Sequence, residues 1–299
     1  PGIRGKPLWP IRGRSSTIER TSQDAWRGGP MKRIEAGGLT MEYAEAGPPE
    51  ASPVLLIHGL GWDAWRLWQG TLAALAEAGL RGLAPNLRGV GGTDATDADY
   101  TTQLYAADLL AFLQALGVDR CQVVGFSMGA SIAAALVDRA PESVTGLSLA
   151  CGGLHGTEDG RQGVEAMLAR AETLGPEAFA AEQAEAVFRP AWAAAHPEAV
   201  ADFKRWRAAM NQSALRRAFR SGYGVDMRAV VQGAGLPTQV IAADTDAYCP
   251  LDDMRAMAAA IPGARLDVID ASGHMAPIEQ PAAFEAALLR FLTRTSAAP

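Results

Sequence analysis

A serine flanked by glycines is the residue of this chain best placed to do chemistry. Ser127 lies in Gly125-Phe126-Ser127-Met128-Gly129, with an apolar run before it and a helical pattern after it. On a tight turn from a strand into a helix, a serine projects its hydroxyl above the sheet, and neighbouring glycines relieve the crowding. The helix start also supplies N–H groups and a positive dipole end to a developing oxyanion. This context predicts that Ser127 is a nucleophile.

A nucleophilic serine needs a base, and the chain has four histidines. His274 lies downstream of Ser127, on a loop that follows the last apolar strand pattern, and it is the predicted base. His58 closes an earlier apolar run in His58-Gly59-Leu60-Gly61, where it is expected to shape a loop. Packing or solvent-exposed roles are expected for the two histidines in the helical middle of the chain, His155 and His196.

The acid that orients the base should lie between serine and histidine in the chain. Asp244 and Asp246 both follow the strand pattern Thr238–Ala243. We predict Asp246, because the acid must clear the end of the strand to reach the imidazole. Asp244 is expected to cap or brace the loop.

The elements that must position these residues alternate along the chain, and the alternation predicts an α/β fold with a mostly parallel central sheet and helices on both faces. Arg33–Ala36 and Leu39–Ala44 should form a hairpin around Gly37-Gly38. Further strands are predicted at Val54–Ile57, Gly82–Pro85, Cys121–Val124, Val144–Leu149, Thr238–Ala243 and Arg265–Ile269. Helices are predicted at Trp65–Ala78, Thr102–Leu116, Met128–Asp138, Asp252–Ile261 and Ala282–Thr293.

The alternation stops between Gly152 and Asp226, where the composition is helical and rich in Ala and Glu. Because ligands bind at the carboxyl ends of strands in open α/β sheets, an inserted helical segment there should roof a pocket. The predicted organisation is a core at residues 31–151 and 227–299 with a helical cap at residues 152–226.

One apolar stripe of the cap carries the tentative substrate-binding residues. Phe203, Trp206, Met210 and Ala214 share a helical face, and Arg217 joins them if the helix continues. An arginine there could hold a substrate carboxylate, so Trp206, Met210 and Arg217 are candidate substrate contacts. The alternative is an Arg217 whose charged end lies in solvent.

Composition excludes several function classes. The chain of 299 residues is 48% hydrophobic and 20% charged, with a formal net charge of −6. No apolar stretch approaches the roughly 20 residues of a membrane span, and a dense basic footprint for nucleic acid is absent. The sequence therefore predicts a soluble protein with a small-molecule substrate and no membrane or nucleic-acid partner, and it leaves the oligomeric state open.

The arrangement of cysteines and histidines bears on the expected cofactors and on the expected location of the protein. Three cysteines make no CxxC pair, and no metal-ligand motif or phosphate loop is present, so no metal or cofactor is expected. Buried thiols in a reducing compartment predict a cytoplasmic protein. Residues 1–30 carry six basic residues against two acidic ones and are expected to be a poorly ordered extension, with a basic transit peptide as the alternative.

Taken together, these motifs resemble the α/β-hydrolase fold superfamily from Met31 to Leu292. The resemblance rests on four segments in order, namely His58–Gly61, Gly125–Gly129, Asp246–Pro250, and Gly273-His274 followed by Glu279-Gln280-Pro281. Asn86–Gly92 also resembles a family loop, with Asn86 where Asp is usual.

The resemblance implies that the amides of Leu60 and Met128 form an oxyanion hole. It is strongest to enol-lactonases and small carboxylesterases, which implies serine-dependent hydrolysis of a small carboxylic ester or lactone through an acyl-enzyme. Two alternatives remain. One is a carbon–carbon bond hydrolase, although Met275–Ile278 stand where such enzymes carry a Trp. The other is a ligand receptor that keeps the triad but turns over little.

Overall fold

An eight-stranded sheet runs through the part of the chain that the computed structural model describes, residues 31–222 and 225–296. Its spatial order is β1-β2-β4-β3-β5-β6-β7-β8. The extension predicted at residues 1–30 lies outside the described residues. The strands are β1 (Lys32–Ala36), β2 (Leu39–Ala46), β3 (Pro53–Ile57), β4 (Arg81–Pro85), β5 (Cys121–Phe126), β6 (Val144–Ala150), β7 (Thr238–Ala243) and β8 (Arg265–Ile269).

Strand pairing confirms the predicted sheet. β1 and β2 form the expected antiparallel hairpin, and β2 also pairs antiparallel with β4. Every pairing from β4 to β8 is parallel. The chain leaves β3 in one direction to make β4 and returns on its other side to make β5. The carboxyl ends of β3 and β5 therefore flank a topological switch point, where open α/β sheets bind ligands.

Helices cover both faces of the sheet, as predicted. They are α1 (Ala64–Glu77), α2 (Thr102–Ala115), α3 (Met128–Arg139), α4 (Glu158–Val187), α5 (Pro190–Ala195), α6 (Pro197–Ala209), α7 (Gln212–Arg220), α8 (Arg228–Gly233), α9 (Leu251–Ala260), α10 (Ala276–Glu279) and α11 (Pro281–Ser296). Side chains of a strand alternate between faces, so Leu55 packs with α2 and α3 while Leu56 packs with α1 and α11. The two clusters of buried side chains, one on each face of the sheet, fix the positions of the strand ends.

The cap helices α4 to α7 leave the sheet after β6 and return before β7. Where the inserted segment begins and ends, its two chain ends pair with each other. Met227 N–H donates to Leu154 O at 2.7 Å, and His155 and Asp226 form an isolated antiparallel bridge. This pairing lies close to the cap boundaries expected at residues 152 and 226.

The continuous stripe expected along the cap is wrong in one respect. α6 ends at Ala209, and Met210 has an extended backbone with φ −60° and ψ 157°. A new helix, α7, follows, and the Asn211 side chain caps it by accepting from Ala214 N–H at 3.1 Å. The break changes which residues after Met210 share a face with Phe203.

Between residues 31 and 296, leaving out 223 and 224, no helix combines the length and apolar character needed to cross a bilayer.

Candidate active site

Ser127 occupies a strained turn between β5 and α3. Its backbone has φ 54° and ψ −120°, a conformation that costs a non-glycine residue about 1–3 kcal/mol. The neighbouring glycines make the turn possible. A Cβ on Gly125 would lie 2.2 Å from Gly129 O, and a Cβ on Gly129 would lie 2.5 Å from Ile57 O. The serine hydroxyl is thereby held at the carboxyl end of the sheet.

His274 lies between Ser127 and Asp246. Its Nε2 is 3.0 Å from Ser127 Oγ, and its Nδ1 is 2.9 Å from Asp246 Oδ2. The aromatic rings of Phe126 and Tyr248 flank the imidazole with centroids at 5.3 and 5.1 Å. Since the carboxylate accepts the Nδ1 proton, Nε2 is left to accept the proton of the serine.

The two candidate acids have different jobs. Asp246 Oδ1 accepts from the N–H groups of Tyr248 and Cys249 at 2.8 and 3.0 Å, so the carboxylate is oriented before it meets the histidine. Asp244 instead accepts from the backbone N–H groups of Ala271 and Ser272 at 2.8 and 2.9 Å. Asp244 therefore braces the loop after β8 rather than its own loop, and Asp246 is the carboxylate in contact with His274.

The loop after β3 lies directly against Ser127. A Cβ on Gly59 would be 2.9 Å from the Phe126 ring and 3.1 Å from Ser127 Cβ, so only glycine lets the loop come this close. Leu60 is the next residue. Met128 is the first residue of α3, and an N–H in the first helical turn has no intrahelical acceptor. The loop that carries Leu60 and the start of α3 at Met128 therefore both lie against Ser127.

His58 holds this loop in place. Its Nε2 accepts from Leu87 N–H at 3.0 Å, and its Nδ1 lies 2.8 Å from Gly59 O. Both nitrogens are satisfied by a neutral ring that donates from Nδ1. Complete burial lowers the pKa of His58, which keeps the ring neutral. The loop-shaping role predicted for His58 is confirmed.

The contacts of Asn86 explain why this chain has Asn at a position where the family loop usually has Asp. Its Oδ1 accepts from Ala64 N–H at 2.8 Å, and its Nδ2 donates to Glu42 Oε2 at 2.8 Å. An ionised Asp has no proton to donate and would face the Glu42 carboxylate. The amide therefore suits this chain, in which Glu42 also accepts from Gly92 N–H at 2.7 Å.

Comparison with known proteins identifies the family to which this fold belongs. The family model of the alpha/beta hydrolase fold matches residues 52–281. The chain belongs to this family. It is 31% identical over 265 residues to "Putative carbamate hydrolase RutD" of Variovorax paradoxus (strain S110), a match that covers 87% of this chain and 98% of that protein. The predicted family resemblance is therefore confirmed.

Solved structures resemble this α/β hydrolase over its described length. The enol-lactonase of Burkholderia xenovorans LB400 has a TM-score of 0.81 at 24% identity, covering 88% of this chain and 100% of that one. A malate-bound thermophilic esterase of Thermogutta terrifontis has a TM-score of 0.82 at 23% identity, covering 90% and 100%. At these identities the likeness establishes the fold.

Glu279 is a polar residue of this hydrolase whose role sequence reasoning did not identify. Its buried carboxylate accepts from Gly273 N–H at 2.9 Å and from Arg189 N–H at 3.3 Å. Burial raises its pKa, whereas the backbone donors oppose that rise. Glu279 thus ties the loop that carries His274 to the cap at the start of α5.

The Asp246, Cys249 and His274 side chains bring possible metal ligands within 4.8 Å of one another. Their chemistry does not suit a cation. Burial and the nearby carboxylates of Asp246 and Asp253 raise the pKa of the Cys249 thiol, so it stays protonated and donates to Cys151 O at 3.2 Å. The trio is better described as a hydrogen-bonded pair of Asp246 and His274 with a neutral thiol beside it.

The three tentative substrate contacts lie in different places. Met210 lines a small cavity together with Leu60 and Met128, and neither Ser127 nor His274 borders that cavity. Trp206 is partly buried beneath the guanidinium of Arg66, 4.2 Å from the ring centroid.

Arg217 was expected either to hold a substrate carboxylate or to keep its charged end in solvent, and its contacts favour the second alternative. Its guanidinium donates to Ser213 Oγ and pairs with the exposed Asp97 carboxylate, both at 3.0 Å. The physical reason is the helix break at Met210, which turns Arg217 away from the stripe that carries Phe203.

Sequence reasoning missed the arginine that is buried there. Arg207 is 3% exposed and lies on α6, one turn after Phe203 and three residues before Met210. That spacing places it on the apolar stripe itself, so the signal was present in the sequence.

Proposed function

We propose that this protein hydrolyses a small carboxylic ester or lactone through an acyl-enzyme on Ser127. One observation carries the proposal, namely the hydrogen-bonded chain from Ser127 Oγ through His274 to Asp246. Serine, imidazole and carboxylate in this order are the parts that acyl transfer requires.

In the acylation step, Ser127 Oγ bonds to the substrate carbonyl carbon while its proton passes to His274 Nε2. Asp246 holds the ring in the correct tautomer and stabilises the imidazolium. The amides of Leu60 and Met128 stabilise the oxyanion, and one such donor is typically worth about 3 kcal/mol. When the carbon–oxygen bond breaks, His274 returns the proton to the leaving alkoxide.

Deacylation repeats these steps with water. His274 accepts a proton as the water oxygen bonds to the acyl carbon, and then donates it to Ser127 Oγ as the acyl–serine bond breaks. An ester gives a free acid and an alcohol, whereas a lactone gives one hydroxy acid. The same groups serve both substrates.

The cap favours a small substrate. Buried apolar and aromatic cap residues pack around the stripe that faces Leu60, among them Leu168, Phe179, Met210, Leu215 and Phe219. The cavity beside Leu60 and Met128 is narrow and mostly apolar. These features support a compact acyl group over a polymer or a long lipid.

The cysteines support a reducing compartment such as the cytoplasm. All three are free, and Cys121 and Cys151 are buried. Burial raises the pKa of Cys121 to about 12, so it behaves as a small apolar residue in the core rather than a reactive thiol.

A fluorophosphonate probe and a substrate panel test the proposal. We expect the probe to label Ser127, and short-chain esters or lactones to be hydrolysed. Ser127→Ala should abolish labelling and lower kcat by about 10⁴–10⁶-fold with an unchanged circular dichroism spectrum. Carbamates belong in the panel because of the name of the RutD relative.

The outcomes separate the alternatives. Labelling without turnover of any substrate would favour a ligand receptor, and turnover of carbon–carbon substrates alone would favour that class of hydrolase. A folded Ser127→Ala protein with near-wild-type activity would contradict the mechanism.

A further inference from the structure

Arg207 is a buried cation without an anion. Among residues 31–222 and 225–296, no carboxylate lies within ion-pair distance of its guanidinium. Its Nε has no hydrogen-bond partner. The other nitrogens make only weak contacts, from Nη1 to Met210 Sδ at 3.9 Å and from Nη2 to Gln183 Oε1 at 3.4 Å. Proteins seldom bury a charge in this way, because its desolvation is then uncompensated.

The guanidinium also lies beside the catalytic loops. A Cβ on Gly61 would be 1.8 Å from Arg207 Nη1, so the guanidinium packs directly on the backbone one residue after Leu60. Gly61 has φ 75°, and its lack of a side chain makes the room that the guanidinium occupies. On another side, the Phe219 ring centroid is 5.3 Å from Arg207 Cζ. The cap thus delivers a positive charge to the immediate neighbourhood of the oxyanion loop.

The charge persists at neutral pH. Burial lowers the pKa of Arg207 to about 10, and Tyr248 opposes this change. The Tyr248 ring in turn lies 5.1 Å from that of His274. Arg207 therefore interacts electrostatically with a residue that contacts the predicted base. At pH 7 the guanidinium therefore remains a cation, and its N–H donors make only the weak contacts described above.

We propose that Arg207 binds a carboxylate of the substrate, which makes this protein a hydrolase of acidic esters or lactones. The proposal rests on the proposed function and names its substrate class. A planar guanidinium holds a carboxylate through two parallel hydrogen bonds, and the free Nε together with a neighbouring Nη offers such an edge. The substrate would thereby supply the anion that the fold does not, and its ester carbonyl would extend toward Ser127.

Matched pairs of substrates test this inference. Monomethyl succinate, glutarate and adipate place a carboxylate at increasing distance from the ester. For each, the primary amide that replaces the carboxylate is a neutral substrate of nearly the same size. We expect kcat/KM for the best acid to exceed that of its amide by about 10- to 150-fold, the range of one charge-assisted hydrogen bond.

Variants assign the preference to one residue. Arg207→Met should bring the acid-to-amide ratio of kcat/KM close to one, and Arg207→Lys should restore part of it. Arg217→Met is the matched control, because that arginine pairs with Asp97 at the surface, and it should keep the wild-type ratio. An unchanged ratio in a folded Arg207→Met protein would overturn the proposal. Failure of that variant to fold leaves the wild-type ratio as the deciding measurement.

Binding to the Ser127→Ala protein separates this proposal from the proposed function. Calorimetric titration with monomethyl glutarate and its amide reports recognition without turnover. Tighter binding of the acid, lost on adding Arg207→Met, supports the carboxylate site even if no ester is hydrolysed. Equal binding of acid and amide would reject the carboxylate site even if neutral esters are hydrolysed.

Discussion

The core and the cap of this hydrolase treat buried arginines differently. In the core, Arg88 donates from Nε and Nη2 to both oxygens of Asp108 at 2.9 and 2.5 Å. Its Nη1 donates to Thr96 Oγ1 at 2.9 Å, so every nitrogen of this guanidinium has a partner. In the cap, Arg207 is equally buried but has no carboxylate among the described residues.

This difference separates a core whose buried charges are paired within the protein from a cap whose buried charge could be paired by a ligand. The core can satisfy a buried charge from α2, which is fixed to the sheet. The same is true around Ser127, where Asp246 accepts hydrogen bonds from two backbone N–H groups and from His274. We infer that the core orients Asp246 and His274 before substrate binds. The cap, in contrast, leaves the guanidinium of Arg207 available to bind the substrate.

The most severe test of the preset core concerns its two aspartates. Asp246→Asn should lower kcat by about 10⁴-fold, because an amide cannot hold the required histidine tautomer or stabilise the imidazolium. Asp244→Asn should have a much smaller effect on kcat and act mainly on thermal stability, since Asp244 contacts only backbone N–H groups of the His274 loop. Steady-state kinetics and melting curves of the two variants, measured in parallel, test the assignment. A larger loss of kcat in Asp244→Asn than in Asp246→Asn would show that the assignment is wrong.

Much of the core could be predicted from local patterns. β3 was visible because a strand buried on both faces is a bare apolar run, and Val54, Leu55, Leu56 and Ile57 are all fully buried. Ser127 was visible because its strained turn needs close glycines. The order of Asp246 and His274 followed from the strand ends that precede them.

The cap could not be predicted in the same detail, because its helical segments are interrupted at Gly175 and Met210 and are held by contacts between residues distant in sequence. The pairing of Arg217 with Asp97 spans 120 residues and left no local trace. Two signals could still have been used. Asn211 is a favoured helix-capping residue and marks the break before α7, and Arg207 follows Phe203 by four positions on the apolar stripe.

Stability measurements on the two arginines sharpen the comparison between core and cap. Arg88→Met strands the buried Asp108 carboxylate and should lower the free energy of unfolding by about 3–5 kcal/mol. Arg207→Met removes an unpaired buried charge and should leave that free energy unchanged or raise it. Urea denaturation at pH 7.5 measures both. A loss in Arg207→Met as large as that in Arg88→Met would show that Arg207 serves the fold.

A carboxylate on the core provides the smallest and most discriminating test. Glu285 on α11 packs against Gly70, and burial together with the nearby Glu77 charge raises its pKa to about 7. Unlike Arg207, Glu285 can lose its charge near neutral pH.

The folded state therefore binds the Glu285 proton more tightly than the unfolded chain does. The corresponding stability is fully present below the ordinary glutamate pKa of about 4.5 and is lost as the pH rises through about 7. Glu285→Gln removes the penalty, so its Tm should exceed that of the wild type at pH 8 by more than at pH 5. The exposed Glu50→Gln variant controls for the substitution itself and should show no such trend. A Glu285→Gln difference that is equal at both pH values would contradict the raised pKa of Glu285.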